Sequence, residues 1–547
     1  MTIIKAYELV GRTLARLGVD TGFFLMGGPT HGAGNACIAN GIRLIDVRHE
    51  QAAAYMAQAY ARVSGKPGFC MAASGPGMVN LAAGLMNALV DCAPVIAIGG
   101  ASPIGQSGKG AFQDIDQVAV MKPATKWAER VTDPLRIPEM IAAAYLQAMS
   151  GKRGPAYLDL PGDVLYKDVD EAAVFWPGLA ATALAAPAAT QDSVERMMEL
   201  LAQARRPVIV SGSGVIWSGA SAPMRAFVEQ AGIPFYTTPQ GRGVVPDDHA
   251  LSFPAVRTRA LKDADLVIVL GTRLNYIWNH GEAPRFSADA QFVRVDIDPA
   301  EAMIAPRLAL GIAADCATVL RQWSEALGSS SAGRYAAWTR ELAASNQPKL
   351  AKAEAALATE AVPIHPQRLC KEVRDFIDRD AVLVVDGQEI LNFARQSIPT
   401  FQPGHRLNSG PFGTMGVGLP FALGAKAARP DTQVVVVHGD GSFGFNAMEL
   451  DTAIRHKLPV LVVISLNGGW TADPQSAKPG RHLGYVRYDL MAEALGCHGE
   501  YVEAPDEIRP ALERAAAAVR AGQAAVVNVR TDPNAGARTA EFTSYVT

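Results

Sequence analysis

Two glycine-rich polar clusters in the last third of the chain strongly limit how it can fold. Residues 434–437 and 459–465 are apolar runs typical of buried strands, and residues 446–454 between them have a helical pattern. Gly439-Asp440-Gly441-Ser442 follows the first run, and Asn467-Gly468-Gly469 follows the second. Open α/β sheets bind ligands at the carboxyl ends of their strands. The two clusters are therefore predicted to meet at one site.

The residue types in these clusters suit a hard divalent cation held against phosphate. Asp440 would supply charge, while the Asn467 side chain and a backbone carbonyl at Gly469 would supply neutral oxygens, a ligand set that Mg²⁺ prefers. Glycines beside Asp440 let the backbone approach phosphate, and the amides that open the next helix favour negative charge. Alone, the first cluster is equally typical of an ordinary strand-to-helix turn with a capping Asp. The second cluster favours the magnesium site.

The chain is too long for a single hydrophobic core. With 547 residues, 49% of them apolar and 19% charged, it has the size and composition of a soluble α/β enzyme of two to four domains. Alternating strand and helix patterns predict three α/β domains with doubly wound parallel sheets, over residues 1–178, 191–330 and 358–547. An Ala- and Pro-rich linker is predicted over residues 178–190. The main predicted strands are residues 22–25, 43–47, 68–72, 95–99, 156–160, 207–211, 266–270, 292–295, 434–437 and 459–465.

Charge and hydropathy exclude several classes of partner. The formal net charge is -3 and no basic block is present, which argues against nucleic-acid binding. No apolar stretch reaches membrane-spanning length, and the N-terminus lacks the pattern of a signal peptide. We expect a cytoplasmic protein that acts on a small molecule.

The spacing of the two clusters resembles the thiamine diphosphate motif, in which Gly-Asp-Gly precedes a pair of asparagines. Leu466 replaces the first of those asparagines. Four further segments are similar, in the same order, to segments of the acetolactate synthase-like superfamily: Val47-Arg48-His49-Glu50, Ala73-Ser74-Gly75-Pro76-Gly77, Phe112-Gln113-Asp114-Ile115-Asp116-Gln117 and Gly413-Thr414-Met415-Gly416. The resemblance covers nearly the whole chain. It implies a pyrimidine-binding domain, a middle domain that resembles nucleotide-binding folds, and a diphosphate-binding domain, in that order.

The resemblance also implies which residues hold the cofactor. The diphosphate and its metal would be held by Gln388, Asp440, Gly441, Ser442 and Asn467. Met415 would lie under the cofactor and enforce its bent shape, and the Gly413 carbonyl would accept from the aminopyrimidine amine. Outside this motif, a single methionine is more often a core residue that fills a gap.

Glu50 is the residue expected to activate the cofactor. It follows an apolar strand at residues 45–47, which places its carboxyl group in a low-dielectric site, where sharing a proton with a ring nitrogen is feasible. In isolation, a Glu before the amphipathic helix at residues 51–63 more often serves the helix dipole. The resemblance implies that Glu50 meets the metal cluster across a subunit interface, so we expect a homodimer or a dimer of dimers.

The choice of reaction depends on other residues around the site. Gln113 is expected over the reacting carbon, where a carboxamide can donate to a developing alkoxide without adding charge. Phe112-Gln113 replaces the paired histidines of pyruvate decarboxylase-like members, and Gly468-Gly469 is more similar to oxalyl-CoA decarboxylases and 2-hydroxyacyl-CoA lyases. The resemblance therefore favours a 2-hydroxyacyl-CoA lyase, which releases formyl-CoA and an aldehyde or ketone. Glu493, on a predicted helix at residues 489–495, is the candidate base for the 2-hydroxyl.

Three alternatives stay open at this stage. A benzaldehyde lyase-like carboligase would act on free aldehydes, and an acetolactate synthase would act on 2-ketoacids. A regulatory protein with a vestigial cofactor site is allowed by Leu466 but disfavoured by intact Glu50, Asp440 and Asn467.

Two peripheral sites are also predicted. In the middle domain, Gly212-Ser213-Gly214 and Asp296 follow predicted strands and could hold ADP or, with less support, FAD. A CoA thioester needs cations for its phosphates, and Lys478, Arg481 and the tail from Arg530 to Arg538 are expected to form a C-terminal lid over it.

Overall fold

The protein is described by a computed structural model over residues 2–178, 186–328, 333–475 and 478–537. Its backbone forms three large parallel sheets covered by helices, so the predicted class of three doubly wound α/β units is confirmed. Most of the predicted linker, residues 179–185, and the tail from Arg538 lie outside the described residues.

The N-terminal unit is built on six parallel strands, with a separate two-stranded antiparallel ribbon. Its strands are β1 (Ile3–Lys5), β2 (Thr21–Phe24), β3 (Arg43–Asp46), β4 (Gly68–Ala72), β5 (Val95–Ala101), β6 (Trp127–Arg130), β7 (Ala156–Pro161) and β8 (Asp168–Asp170). Its helices are α1 (Tyr7–Arg16), α2 (His31–Ala39), α3 (Glu50–Ser64), α4 (Pro76–Val90), α5 (Gln117–Met121), α6 (Ile137–Met149) and α7 (Gly162–Leu165). The sheet order is β3-β2-β4-β5-β7-β6, and the ribbon pairs β1 with β8.

The middle unit has five parallel strands in the order β10-β9-β11-β12-β13. Its strands are β9 (Pro207–Ser211), β10 (Phe235–Thr237), β11 (Leu266–Leu270), β12 (Gln291–Asp296) and β13 (Leu308–Ala313). Its helices are α8 (Gln191–Gln203), α9 (Ser213–Trp217), α10 (Ser221–Ala231), α11 (Arg257–Asp263), α12 (Pro299–Ala302) and α13 (Cys316–Leu327). A long helix, α14 (Ala336–Leu357), connects it to the next unit.

The C-terminal unit again has six parallel strands. They are β14 (Val382–Asp386), β15 (Arg406–Leu407), β16 (Val434–Gly439), β17 (Leu461–Leu466), β18 (His498–Val502) and β19 (Ala525–Arg530). Its helices are α15 (Pro366–Arg374), α16 (Glu389–Ser397), α17 (Gly418–Ala428), α18 (Asp440–Asn446), α19 (Glu449–Arg455), α20 (Tyr488–Ala494) and α21 (Ile508–Arg520). The order β15-β14-β16-β17-β19-β18 repeats the succession of the N-terminal sheet strand for strand.

The helix predicted at residues 446–454 differs from the structure. Two helices occupy this region, and the first, α18, begins at Asp440 itself. Gly439 is extended, with φ -78° and ψ 151°, so the strand turns into the helix at that residue. The Gly-rich sequence has low helix propensity, and tertiary packing overrides it. Asp440 therefore lies in the first turn of a helix.

The N-terminal and C-terminal units share one core through α3 and α17. The ring of Tyr55 packs edge-on against Phe421, with centroids 6.0 Å apart. A Cβ at Gly424 would lie 2.2 Å from the Met56 carbonyl oxygen, so glycine is required for this approach. The buried carboxylate of Glu449 also accepts from the backbone amide of Arg48 at 3.0 Å. This interface holds the segment just before Glu50.

No helix in the described part of the chain is long and apolar enough to cross a bilayer.

Candidate active site

A cavity at the carboxyl ends of β14, β16 and β17 gathers the two clusters. Of the predicted site residues, it is lined by Gln388, Met415, Asp440, Gly441, Ser442, Asn467 and Gly469. The three neighbouring strands deliver Gln388, Asp440 and Asn467 to this edge because each strand ends just before one of them. The structure thus places the predicted diphosphate and metal residues together.

The surroundings of Asp440 fit a metal ligand. Its side chain is buried, and Oδ1 accepts from the Gly441 amide at 2.9 Å. Its Oδ2 is also buried but has no hydrogen-bond partner. Burial raises the pKa of Asp440 to about 6, although the nearby amides of Gly441, Gly468 and Gly469 favour the charged form. Buried polar atoms are normally paired, so this oxygen fits a metal ligand.

The described residues contain no group of three or more His, Cys, Asp or Glu side chains that could hold a metal. A cation at Asp440 would therefore take most of its ligands from neutral oxygens and from phosphate. This is the usual environment of Mg²⁺, which keeps few carboxylate ligands and binds with phosphates.

The double glycine after Asn467 is explained by close packing. A Cβ at Gly469 would lie 1.9 Å from the Arg481 carbonyl oxygen, and the Gly469 amide donates to Asn467 Oδ1 at 3.2 Å. A Cβ at Gly441 would likewise lie 2.6 Å from the Trp470 ring. The sequence analysis did not assign Trp470 to the site, and its contact with Gly441 depends on tertiary packing.

Arg481, which the sequence analysis assigned to a lid, is anchored to the backbone of loops beside the cavity. Its side chain is buried, and Nε donates to the Thr471 carbonyl at 3.0 Å. Its Nη2 donates to the carbonyls of Asn467 and Pro533, each at 3.2 Å. Lys478 likewise donates to the Ala472 carbonyl at 2.6 Å. Both cations thus bind loop backbone next to the cavity.

The turn that carries Met415 is held by Asp386, which the sequence analysis did not assign. The buried Asp386 carboxylate accepts from the amides of Gly416 at 3.0 Å and Gly418 at 2.9 Å. Gly413 and Gly416 have φ of 72° and 88°, a backbone conformation that glycine adopts readily. Met415 lines the cavity, whereas Gly413 is not among its lining residues. An Asp at the end of β14, directly before Gly387, was the sequence signal for this role.

The side chain of Ser442 is oriented by a buried histidine, His438. The Ser442 hydroxyl donates to the Gly439 carbonyl at 3.0 Å. His438 Nδ1 lies 3.3 Å from the oxygen of the Ser442 hydroxyl. Burial lowers the pKa of His438 to about 3, so its ring is neutral at physiological pH.

Glu50 and Gln113 form a second group, in the N-terminal unit. Glu50 is the first residue of α3 and is buried, and its Oε2 accepts from Asn80 Nδ2 at 3.0 Å. A Cβ at Gly77 would lie 3.3 Å from Glu50 Oε1, while Gly75 packs directly on Gln113. Neither Glu50 nor Gln113 lines the cavity in the C-terminal unit.

Gln113 is held in an unusual conformation. Its φ is 59°, in the left-handed region that few non-glycine residues adopt. Ser74 Oγ donates to Gln113 Oε1 at 2.7 Å. Beside it, the Gly75 amide donates to Gln117 Oε1 at 2.6 Å. The bond from Ser74 fixes the direction of the Gln113 carboxamide.

Glu493 lies on the surface of the C-terminal unit. It is exposed on α20 and is not among the residues that line the cavity.

Comparison with known proteins agrees with this geometry. Three family models match, described as the N-terminal TPP binding domain, central domain and C-terminal TPP binding domain of thiamine pyrophosphate enzymes, over residues 4–120, 194–323 and 388–529. An acetolactate synthase large subunit of Mycobacterium tuberculosis is 36% identical over 97% of this chain and 96% of its own length. A 2-hydroxyacyl-CoA lyase of Oryza sativa subsp. japonica is 34% identical, and an oxalyl-CoA decarboxylase of Escherichia coli K12 is 33% identical, each over 98% of this chain and 96% of its own. The chain therefore belongs to the thiamine pyrophosphate enzymes, in the family that includes acetolactate synthases, 2-hydroxyacyl-CoA lyases and oxalyl-CoA decarboxylases.

Proposed function

We propose that the protein is a carbon–carbon lyase, dependent on thiamine diphosphate and Mg²⁺, that cleaves the C1–C2 bond of a 2-hydroxyacyl-CoA. The products are formyl-CoA and an aldehyde or ketone, and the reverse reaction is a condensation of the two. Full-length similarity to proteins named 2-hydroxyacyl-CoA lyase, at 34% identity in two plants, supports this substrate class. The structural observation that carries the proposal is the orientation of Gln113, which leaves an amide donor for a substrate oxygen.

The side-chain amide of Gln113 is oriented so that it can donate a hydrogen bond to a substrate oxygen. Because Ser74 donates to its Oε1, the Nε2 group remains as the end that can donate to a substrate oxygen. A neutral amide stabilises a developing alkoxide without delivering a proton. The formyl carbon of the product carries a hydrogen that C1 of the substrate lacks, so the proton lost by the 2-hydroxyl is balanced by one delivered to C1 from another group or from water, and Gln113 would only stabilise the developing alkoxide.

The residues around the cavity would hold the cofactor as follows. Asp440, Asn467 and the Gly469 carbonyl would bind the metal, since Asp440 Oδ2 has no partner of its own. Gln388, Gly441 and Ser442 would hold the diphosphate, and Met415 with Gly413 would support the rings. When bound, thiamine diphosphate supplies a nucleophilic carbon and an electron sink, and the protein orients both.

The active site requires a second copy of the chain. Glu50 does not line the cavity of its own chain, so Glu50 of the partner subunit would complete the site. Large apolar side chains are exposed on both units, including Phe112 (85%) and Phe445 (57%), which fits an interface. We propose a homodimer or a dimer of dimers, and we expect light scattering to give no monomer at assay concentrations.

The middle unit would hold ADP in preference to FAD. Asp296 ends β12, is buried, and would accept a ribose hydroxyl. The two glycines of Gly212-Ser213-Gly214 are accounted for by packing against Gly271 and Thr272, so they add little support for a phosphate loop. Absorbance at 450 nm and chromatography of a denatured extract would distinguish flavin, ADP and an empty domain.

Glu493 remains the proposed base for the 2-hydroxyl. Its exposed position means that it would need to be covered when substrate or a second copy binds. Unchanged cleavage by Glu493→Gln would remove it from the mechanism.

The substrate assay separates the candidate functions. Protein with thiamine diphosphate and Mg²⁺ is incubated in parallel with a 2-hydroxyacyl-CoA, a free 2-hydroxyketone and pyruvate, and the products are identified by mass spectrometry. Formyl-CoA from the thioester supports the lyase. Acetolactate from pyruvate would support the second candidate, which the 36% identical relative favours, and cleavage of the hydroxyketone alone would indicate a benzaldehyde lyase-like enzyme.

A further inference from the structure

A buried carboxylate lies at the junction of the three units. Asp91 directly follows α4 of the N-terminal unit and is 2% exposed. Its Oδ2 accepts from two side chains of α3, Gln58 Nε2 at 3.0 Å and Arg62 Nη1 at 3.3 Å. Its Oδ1 accepts from Gln240 Nε2 of the middle unit at 2.8 Å. The Asp91 carboxylate therefore joins the N-terminal unit to the middle unit.

The C-terminal unit enters the same junction through a turn at residues 408–412. Gly410 packs so closely that a Cβ on it would lie 2.7 Å from Gln240 Nε2 and 2.9 Å from Asp91 Oδ1. Its φ is 64°, which also favours glycine. The Asn408 carbonyl accepts from Gln240 Nε2 at 3.4 Å, and the Asn408 side chain accepts from the Gly410 amide at 2.9 Å. Asp91 and Gln240 thus form the surface against which this turn packs.

Two further contacts hold the residues that follow Gly410. The hydroxyl of Tyr276, in the middle unit, donates to the Pro411 carbonyl at 3.2 Å. The hydroxyl of Tyr55, on α3, lies 3.4 Å from Thr414 Oγ1. The N-terminal and middle units therefore hold the backbone of the C-terminal unit at several points just before Met415.

Met415 lies between two sets of anchors. On its far side the C-terminal unit holds its own chain, because Asp386 accepts from the Gly416 amide at 3.0 Å and Asn446 Nδ2 donates to the Gly416 carbonyl at 2.7 Å. On its near side the anchors belong to the other two units. The position of the Met415 side chain in the cavity therefore depends on the junction at Asp91 as well as on the C-terminal unit.

The polar character of the junction suits a role in placement. Burial raises the pKa of Asp91, and the charge of Arg62 and the hydrogen bonds from Gln58 and Gln240 oppose that rise. A buried ion pair adds little net stability compared with apolar side chains of similar volume. Its directional bonds, in contrast, fix the relative orientation of the groups that they join.

We propose that Asp91 and Gln240 are positioning residues for the cofactor, which place Met415 by fixing the turn at residues 408–412. Through Gln240, the middle unit takes part in the geometry of the cofactor cavity whether or not it holds a nucleotide. The inference rests on the proposed placement of thiamine diphosphate against Met415. It does not depend on which substrate is cleaved.

Gln240→Leu is the main test variant. Leucine has a similar volume, and Asp91 keeps its bonds from Gln58 and Arg62. Gln240 Oε1 has no hydrogen-bond partner, so only the donor end is lost. In the cofactor-free protein, we expect deuterium to enter the amides of residues 408–416 faster than in wild type, as followed by mass spectrometry.

The full-length protein loaded with thiamine diphosphate and Mg²⁺ provides the second readout. Exchange of the C2 proton, per bound cofactor, should slow by about 10- to 100-fold in Gln240→Leu, the scale of a misplacement of about 1 Å. The calorimetric affinity for thiamine diphosphate should stay close to that of wild type, because the residues that would hold the diphosphate and metal are unchanged. Gly410→Ala should slow exchange similarly, since its Cβ would push the turn away from the junction. Asp91→Asn should slow exchange and also lower the melting temperature, because Arg62 loses its ion-pair partner.

Tyr60→Phe is the matched control. It removes a hydrogen bond between α3 and Asp20, and the C2 exchange of this variant should equal that of wild type. A role in stability alone would lower the melting temperature of Gln240→Leu without slowing C2 exchange below the melting transition. That result, together with wild-type exchange in Gly410→Ala, would overturn the proposal.

Met415→Ala, measured in parallel, separates two kinds of failure. If Met415→Ala slows C2 exchange but Gln240→Leu and Gly410→Ala do not, the positioning role is wrong and the cofactor placement stands. If Met415→Ala exchanges as wild type does, the cofactor is not supported by Met415 and this proposal falls with that placement. C2 exchange needs no substrate, so neither result depends on the proposed lyase reaction.

Discussion

The hydroxyl of Ser74 donates to Oε1 of Gln113 at 2.7 Å, and this bond decides which end of the carboxamide faces outward. The bond joins the turn after β4 to the segment after β5 and holds Gln113 at a φ of 59°. A residue kept in a sparsely populated conformation by its surroundings is a common feature of functional sites.

Removal of the Gln113 amide should slow the chemical step. We expect Gln113→Leu to lower kcat by about 10²- to 10³-fold, as for the loss of one donor to a developing oxyanion. Ser74→Ala should have a smaller effect in the same direction, because the amide remains but can rotate. Steady-state kinetics checks both, with the exposed Gln106→Leu as control. Wild-type kcat in Gln113→Leu would exclude this role.

Glu50 should be needed for cofactor activation but not for cofactor binding. It lies outside the cavity that would hold the diphosphate, so Glu50→Gln and Glu50→Ala should keep the affinity for thiamine diphosphate and Mg²⁺. Exchange of the C2 proton of the bound cofactor, followed by NMR after acid quench, should fall by about 10²- to 10⁴-fold, the usual contribution of a positioned acid or base. Glu8→Gln, in the first turn of α1, is the control. Near-normal exchange in Glu50→Gln would rule out the assignment.

Asp440 should control metal binding. Because burial disfavours its charged form and Oδ2 has no hydrogen-bond partner, Asp440→Asn removes a buried charge, and the metal-free variant should melt no lower than metal-free wild type. The variant should nevertheless gain little thermal stability from thiamine diphosphate with Mg²⁺, whereas wild type should gain stability and lose it again on chelation with EDTA. Equal stabilisation of both proteins by Mg²⁺ would place the metal elsewhere.

Glu449 should make stability depend on pH. Its buried carboxyl group accepts from the amides of Arg48 and His49 and from the Thr452 hydroxyl, and burial raises its pKa to about 7. The folded pKa exceeds the unfolded one, so the stability that Glu449 contributes is present at acid pH and is lost as pH rises through about 7.

The melting temperature of wild type minus that of Glu449→Gln should therefore fall between about pH 5 and pH 8. Exposed Glu513→Gln should show no such trend. A flat difference across this range would mean that Glu449 has an ordinary pKa in the folded protein.

Most central strands of the three sheets could be predicted from sequence because they are continuous apolar runs. Of the strands in these sheets whose bounds were not predicted, β6, β10, β13, β15 and β18 are edge strands, and only β14 and β19 are central. Edge strands are short or only half-buried, as in β13, so their apolar pattern is weak. The helix that begins at Asp440 was missed for a related reason, since packing overrides the low propensity of its glycines.

The residues of the site also divide into those whose position could be predicted from sequence and those whose position could not. Asp440 and Asn467 stand at the ends of recognisable strands, so their meeting followed from the topology. Trp470 and Arg481 contribute through contacts across a loop, which no local pattern shows.

The most direct test of the proposed 2-hydroxyacyl-CoA lyase activity follows the C1 carbon, which leaves as formyl-CoA. A 2-hydroxyacyl-CoA labelled with ¹³C at C1 is incubated with the protein, thiamine diphosphate and Mg²⁺, and formyl-CoA is analysed by mass spectrometry. We predict formyl-CoA with the label in its formyl carbon and an unlabelled aldehyde, both abolished in Glu50→Ala. Intact thioester, with turnover of only free hydroxyketones or 2-ketoacids, would contradict the assignment as an acyl-CoA lyase.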